Sequence, residues 1–185
     1  MTEAIAVTSF EDFLDGEQRS ERRHELVGGR VYAMAGGSER HDLAAGLLYE
    51  LVAAGARASG CRPFTSNRLV RTSSGNTYYP DVMVVCGQAP HRLYETDPAL
   101  IIEVLSPSTA DVDRREKAVA YAEATSLRLL VLVDPDTRRL ELARPANGAV
   151  NAWEVAGPGE VLATDFGDID VDALYDSIDR TATTP

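Results

Sequence analysis

Tyr79-Pro80-Asp81-Val82-Met83-Val84-Val85-Cys86-Gly87 and, after an irregular stretch, Ala99-Leu100-Ile101-Ile102-Glu103-Val104-Leu105-Ser106 are the segments on which the fold turns. Each is a compact run of β-branched and aliphatic residues bounded by Gly, Pro or Ser, the pattern of a strand buried on both faces. A simple hairpin between them would centre its turn in the loop from Gly87 to Pro98, and the midpoint of Asp81 and Glu103, residue 92, falls inside that loop. The two carboxylates are therefore expected to face each other. Directly opposed residues on antiparallel strands stand about 5 Å apart at Cβ, where like charges destabilise. A fold that keeps such a pair is expected to neutralise it. A divalent cation with oxygen ligands suits the task, because Mg²⁺ takes one or two carboxylates and keeps several waters for its substrate.

Ser106-Pro107-Ser108-Thr109 ends the second strand, and Ser108 or Thr109 can cap a helix running through Asp111, Asp113, Lys117 and Tyr121 to about Ala124. Asp113, Lys117 and Tyr121 share one face of it by i, i+4 spacing. Its early turns should lie near the exit of the strand carrying Glu103. Lys117 is the only lysine among 18 basic residues. Arginine presents a rigid planar fork, whereas lysine is a compact ammonium that meets a water or a developing charge as a single point. A chain that uses arginine everywhere else points to a site that needs the ammonium, to orient an attacking water or stabilise transition-state charge. A surface lysine paired with Asp113 four positions earlier is the plainer account, and these residues alone leave it open.

With Asp81 preceded by proline, Glu103 inside Ile101-Ile102-Glu103-Val104-Leu105-Ser106-Pro107-Ser108-Thr109, and Asp113 and Lys117 ahead of Tyr121, the chain resembles the Uma-two family of restriction-endonuclease-like proteins, a branch of the PD-(D/E)XK nuclease superfamily. The resemblance covers most of the chain. It takes in His24-Glu25-Leu26-Val27-Gly28-Gly29, His41 at the start of a helix, and Leu130-Val131-Leu132-Val133-Asp134-Pro135. It implies a metal-dependent phosphodiesterase, a DNA endonuclease in which Asp81, Glu103 and the backbone carbonyl of Val104 hold Mg²⁺ or Mn²⁺ and Lys117 serves the attacking water. Glu25 would join the acidic cluster and His41 would help orient waters or a second ion. One position departs from the superfamily pattern. A lysine is expected two residues after Glu103, and Leu105 stands there; in this branch the lysine looks relocated to the helix, where Lys117 lies.

At 185 residues the chain is long enough for one domain with a substantial core. Residues 1–180 are read as a restriction-endonuclease-like domain and 181–185 as a polar C-terminal tail. Charged residues at 25% and apolar residues at 44% are ordinary for a globular protein. No secretory h-region opens the sequence and no apolar run reaches a membrane span, so a cytoplasmic protein without a membrane partner is expected. Cys61 and Cys86 show no metal-ligand spacing and no disulfide framework, and are expected to be reduced and structural. The net charge of −11 counts against tight gripping of nucleic acid, which needs phosphate neutralisation. The arginines are scattered, in small groups at Arg19, Arg22 and Arg23, at Arg68 and Arg71, and at Arg114 and Arg115. Either a basic patch forms only in three dimensions, with a homodimer expected to help build it, or duplex DNA is not bound tightly.

Along the chain, Ser9 to Leu14 reads as a short capped helix and Glu17 to Arg23 as an exposed polar stretch. Glu25 to Met34 reads as a hairpin turning at Gly28-Gly29, and Ser38 to about Ala58 as a helix with Leu43, Leu47 and Leu51 on one stripe beside Leu48 and Val52. Arg68 to Arg71 and Tyr78 to Cys86 read as strands flanking the turn signal Ser73-Ser74-Gly75-Asn76. Arg128 to Val133 and Leu140 to Ala143 pair through the turn Asp134-Pro135-Asp136-Thr137. A strand at Ala152 to Val155 and a weak helical turn at Val171 to Ile178 follow. Strands framed by helices give an α/β (α+β) domain with a central mixed β-sheet.

Several residues also admit plainer roles. His41 could be a solvated or capping histidine, and Glu25 a strand-surface carboxylate. Ser106, Ser108 and Thr109 lack a nearby histidine or a strained elbow and read as caps. Gly28-Gly29 and Gly36-Gly37 lack phosphate-loop spacing. A non-cleaving nucleic-acid-binding or accessory module that retains the acidic site, and a hydrolase of small phosphodiesters, are the alternatives to the endonuclease.

Overall fold

The computed structural model describes residues 8–34, 36–88, 91–106 and 113–182. Its centre is β8 (Pro98–Val104), in which all seven residues are buried. β6 (Val82–Val85) runs antiparallel to it, with Val82 opposite Ile102 and Met83 opposite Ile101. One step further along this register brings Asp81 opposite Glu103. On the other side β9 (Leu129–Asp134) lies parallel to β8, which makes the sheet mixed. β3 (Arg62–Thr65), β10 (Arg139–Ala143) and β11 (Glu154–Ala156) complete a six-stranded sheet in the order β11-β10-β9-β8-β6-β3.

A second sheet gathers the N-terminal strands. β1 (His24–Val27) and β2 (Arg30–Ala33) form the expected hairpin around Gly28 and Gly29, both at positive φ. β4 (Leu69–Arg71), β5 (Thr77–Tyr78) and β7 (Tyr94–Glu95) extend it in the order β2-β1-β5-β4-β7. Two expectations change here. The segment Tyr78 to Cys86 is not one strand: it breaks at Tyr79-Pro80-Asp81, so that β5 belongs to one sheet and β6 to the other. Proline cannot donate to a ladder, and it stands where the chain changes sheets. Nor is the β6–β8 connection a simple hairpin, because β7 leaves it to pair in parallel with β4.

Helix α2 (Glu39–Ala58), capped by Ser38, covers one face of the larger sheet. Its buried stripe is Ala44, Leu48, Val52 and Ala56, packed with Val82, Ile102 and Val131. Leu43, Leu47 and Leu51 lie on the partly exposed flank instead, because the small Ala44 and Ala56 let the helix sit close on the sheet. A Cβ at Gly55 would run into the Phe166 carbonyl, so the α2 backbone rests directly on the loop before β13 (Ile169–Asp170). β13 pairs with β12 (Val161–Leu162). The terminal helix α4 (Val171–Thr181), capped by Asp170, packs on α2 and is a full helix rather than a weak turn.

The opposite face holds a π-helical turn, Asp113–Lys117, that runs directly into α3 (Ala118–Ala122). Ala118 and Tyr121 pack there with Ile101, Leu105 and Leu130. The expected cap at Ser108 or Thr109 lies outside the described residues. Helix α1 (Phe10–Arg19) is longer than expected and buries Glu17, which is only 6% exposed and not part of a solvated stretch. The expectation of reduced cysteines is also corrected: Cys61 and Cys86 form a disulfide. They follow in register from the Arg62–Val85 pair of β3 and β6, so neighbouring strands bring their side chains together. Among the described residues no helix is long and apolar enough to cross a membrane.

Candidate active site

Side chains alternate along β8. Leu100, Ile102 and Val104 join the core under α2, while Ile101 and Leu105 face the π turn and α3. By that period Glu103 belongs on the α3 side, where it is 3% exposed. Leaving a buried carboxylate unpaired would cost several kcal/mol. Two groups offset that cost: the Tyr121 hydroxyl donates to Glu103 Oε1 at 2.6 Å, and Lys117 Nζ lies 3.8 Å from the same oxygen.

Asp81 stands at the sheet change, where its Oδ2 accepts the Val104 N–H at 2.8 Å. That bond ties it to the residue after Glu103. The same oxygen is 3.3 Å from Nε2 of His41, in the first turn of α2. The hydrogen bond that the imidazole N–H donates to Asp81 holds the ring proton and pushes the His41 pKa up to about 9, against the opposing effect of burial. Gly37 makes the histidine's placement possible, since a Cβ there would come within 2.7 Å of Nδ1.

The lysine closes the site. Lys117 is 7% exposed at the end of the π turn, with Nζ 3.0 Å from Glu25 Oε1 on β1 and 5.7 Å from the centroid of the Tyr78 ring. Single π turns insert one residue into a helix and often mark functional positions. This one is anchored by the Arg114 fork, which donates to both oxygens of Glu141 on β10 at 2.9 and 3.1 Å. That fork holds the Glu141 carboxyl below its usual range. On the other flank, Tyr79 donates to Glu17 at 3.0 Å, and Glu17 also accepts the His24 N–H at 3.0 Å. Burial pushes the Tyr79 hydroxyl well above its ordinary range.

Glu25, His41, Asp81, Glu103, Val104 and Lys117 line one cavity of about 380 Å³. The structure thus brings together every residue named from the sequence as a candidate site residue. Lys117 is not a surface lysine, and Leu105, the position at which the resemblance leads a lysine to be expected, packs in the core. The Asp113 side chain lies outside the described residues. Tyr79, Ser66 and Gly37 also line the cavity; none of them reads as a site residue in the sequence, where Gly36-Gly37 lacks phosphate-loop spacing, and Glu17 behind Tyr79 reads there as exposed. Only Tyr121 carried a readable signal, its i+4 spacing from Lys117.

The donor chemistry suits a hard divalent cation. Asp81, just ahead of β6, and Glu103 on the neighbouring β8 supply carboxylate oxygens, and Mg²⁺ needs no more than one or two. Among the described residues no group of three or more His, Cys, Asp or Glu side chains has metal-ligand spacing.

A family model described as "Uma2: Putative restriction endonuclease" matches residues 10–169. The chain belongs to the Uma2 family. Among its relatives are two proteins of Synechocystis. One, slr1290, is 32% identical over 135 residues, covering 71% of each chain. The other, sll1609, is 29% identical over 135 residues, covering 70% of this chain and 76% of its own. Among solved structures, "a putative nuclease belonging to DUF820" from Anabaena variabilis superposes with a TM-score of 0.75 at 17% identity, covering 92% of this chain and 98% of its own. The Uma2 chain therefore has a restriction-endonuclease-like fold, with mixed sheets between helices.

Proposed function

We propose that this Uma2 protein is a metal-dependent nuclease of the PD-(D/E)XK type that hydrolyses phosphodiester bonds, with DNA as its expected substrate. The family description and the fold of the Anabaena protein support a nuclease. The observation that carries the reading is the convergence of Asp81 and Glu103 with the single buried lysine in one cavity. Asp81, Glu103 and the Val104 carbonyl would hold Mg²⁺ or Mn²⁺, which when bound lowers the pKa of a coordinated water and polarises a phosphoryl oxygen.

The protein's own groups do the rest. The Val104 N–H orients Asp81, and Tyr121 orients Glu103. Hydrolysis adds the water oxygen to phosphorus, breaks one P–O ester bond and gives a proton to the leaving oxygen. Lys117 holds that water or stabilises the charge building on the phosphoryl oxygens. Glu25 keeps the ammonium at the cavity wall, and His41 keeps Asp81 from turning away. A non-cleaving module is the second reading, favoured by Leu105 standing where the superfamily lysine belongs.

One assay separates the two. Supercoiled DNA, single-stranded DNA and RNA are incubated with wild type and with Asp81→Ala, in Mg²⁺, Mn²⁺ or EDTA. Cleavage that needs the metal and falls by a factor on the order of 10² or more in Asp81→Ala is expected. Equal cutting by the two proteins, or cutting in EDTA, contradicts the nuclease site. No cutting of any substrate leaves the binding module.

A further inference from the structure

Charge is distributed unevenly over this chain. Asp165, Asp168, Asp170, Asp172, Asp176 and Asp179 crowd the segment that leads into and forms α4, where Arg138 answers three of them. A basic band instead forms around the turn between β3 and β4. Arg62 and Arg68 both bind the fully buried Glu95, which leaves one net positive charge on the trio. Arg68 also donates to the Arg92 carbonyl at 2.6 Å. Arg23 and Arg92 are exposed, and neither has an ion pair among the described residues.

The band adjoins the candidate active site. Tyr79 lines both the active-site cavity and a second cavity of about 210 Å³ shared with Arg23, Asn67 and Arg68. Ser66 faces the first cavity and its neighbour Asn67 the second. Met34, also at the first cavity, donates its backbone N–H to the Arg23 carbonyl at 2.9 Å. Guanidinium groups lie over aromatic rings along the band: Arg62 and Arg68 are 5.2 and 5.4 Å from the centroid of the partly buried Phe64, and Arg23 is 5.4 Å from that of Tyr79, whose buried ring it covers.

We propose that a single-stranded polynucleotide leaves the candidate active site past the Arg23 guanidinium that covers Tyr79 and over the β3–β4 turn, with its phosphates on Arg23 and Arg92 and its unstacked bases against Phe64 and the guanidinium planes of Arg62 and Arg68. The proposal rests on the phosphodiesterase reading above and names its substrate class. Unstacked bases expose π faces that aromatic rings and guanidinium planes can meet, whereas a duplex hides those faces. Duplex affinity comes chiefly from broad phosphate neutralisation, for which this band is narrow in a chain of net charge −11.

Fluorescence anisotropy with 5′-labelled 12-mers tests the path, using a DNA strand, an RNA strand and the DNA duplex of one sequence, in Ca²⁺ at fixed salt. Wild type should bind a single strand about tenfold or more tighter than the duplex, and the tighter of the two strands identifies the sugar. Arg23→Glu and Arg92→Glu should each weaken strand binding about tenfold. Arg144→Glu makes the same charge change on the β10–β11 edge, beside Glu154, and should weaken it by about twofold at most. Preference for the duplex, no strand binding by wild type, or equal losses at Arg144 and Arg23 overturns the path. Chemistry is scored separately, as wild-type hydrolysis of bis(p-nitrophenyl) phosphate with Mg²⁺. Arg23-dependent strand binding without any diester hydrolysis keeps the path and rejects the hydrolase; hydrolysis without that binding does the reverse.

Discussion

His41 and Asp81 form a contact that depends on pH. The imidazole has a pKa of about 9 in the folded chain against 6.5 for the free side chain. Below about pH 6.5 folded and unfolded chains both hold the proton, and the ion pair contributes fully to stability. As pH rises from there the unfolded chain loses its proton while the folded chain keeps it, so stability falls. Above about pH 9 the contribution is gone. Metal-free protein should show an imidazole titrating near pH 9 by NMR, assigned through its loss in His41→Gln. In Asp81→Asn the midpoint should drop toward 6.5, and the melting temperature should lose its decline between those two values. A His41 midpoint near 6.5 in wild type would falsify the pairing.

The π turn is the element that delivers Lys117, and the Arg114–Glu141 pair ties its first half to β10. Arg114 grips Glu141 with two hydrogen bonds, and Arg139 approaches the same carboxylate at 3.2 Å. Glu141→Gln keeps the shape and removes the charge. With Arg114 partly exposed, the substitution should cost about 1 to 2 kcal/mol at pH 7. The native carboxyl is held below its ordinary value, so its contribution is present above the unfolded value of 4.5 and lost as pH falls through the folded one. Urea unfolding of wild type and Glu141→Gln should converge as pH is lowered; a gap that is constant with pH excludes a charge effect. Elements of this kind were legible in the sequence only in part. β6 and β8 could be read because continuous aliphatic runs mark strands buried on both faces, and the Asp81–Glu103 register came with them. β3 and β7 could not, because Arg62-Pro63-Phe64-Thr65 and Tyr94-Glu95 are short and carry charges that only the Arg62–Glu95–Arg68 cluster satisfies. Glu17 looked solvated because one of its partners, Tyr79, lies 62 residues away.

The candidate site lies where the two sheets meet: Glu25 comes from one, Glu103 from the other, and Asp81 from the crossing between them. The segment that crosses is closed into a loop by the Cys61–Cys86 disulfide, with a sequence separation of 25, and this loop contains Ser66, Tyr79 and Asp81. Closing a loop of that length restricts the unfolded chain by about 3 kcal/mol in the chain-entropy account. For a chain of this size, that corresponds to a fall of roughly 6 to 12 °C in melting temperature when the bond is opened. The fall should appear on reduction and again in a Cys61→Ser, Cys86→Ser double variant, which should then ignore reductant. Asp81 is held by the Val104 N–H and His41 and not by the disulfide, so any metal-dependent cleavage measured well below the new melting temperature should survive reduction. Thiol titration of the unreduced, denatured protein provides the check on the starting state. Two free thiols per chain, or a melting temperature that reductant does not move, would remove the disulfide from the account of stability and return both cysteines to the reduced state expected from their spacing.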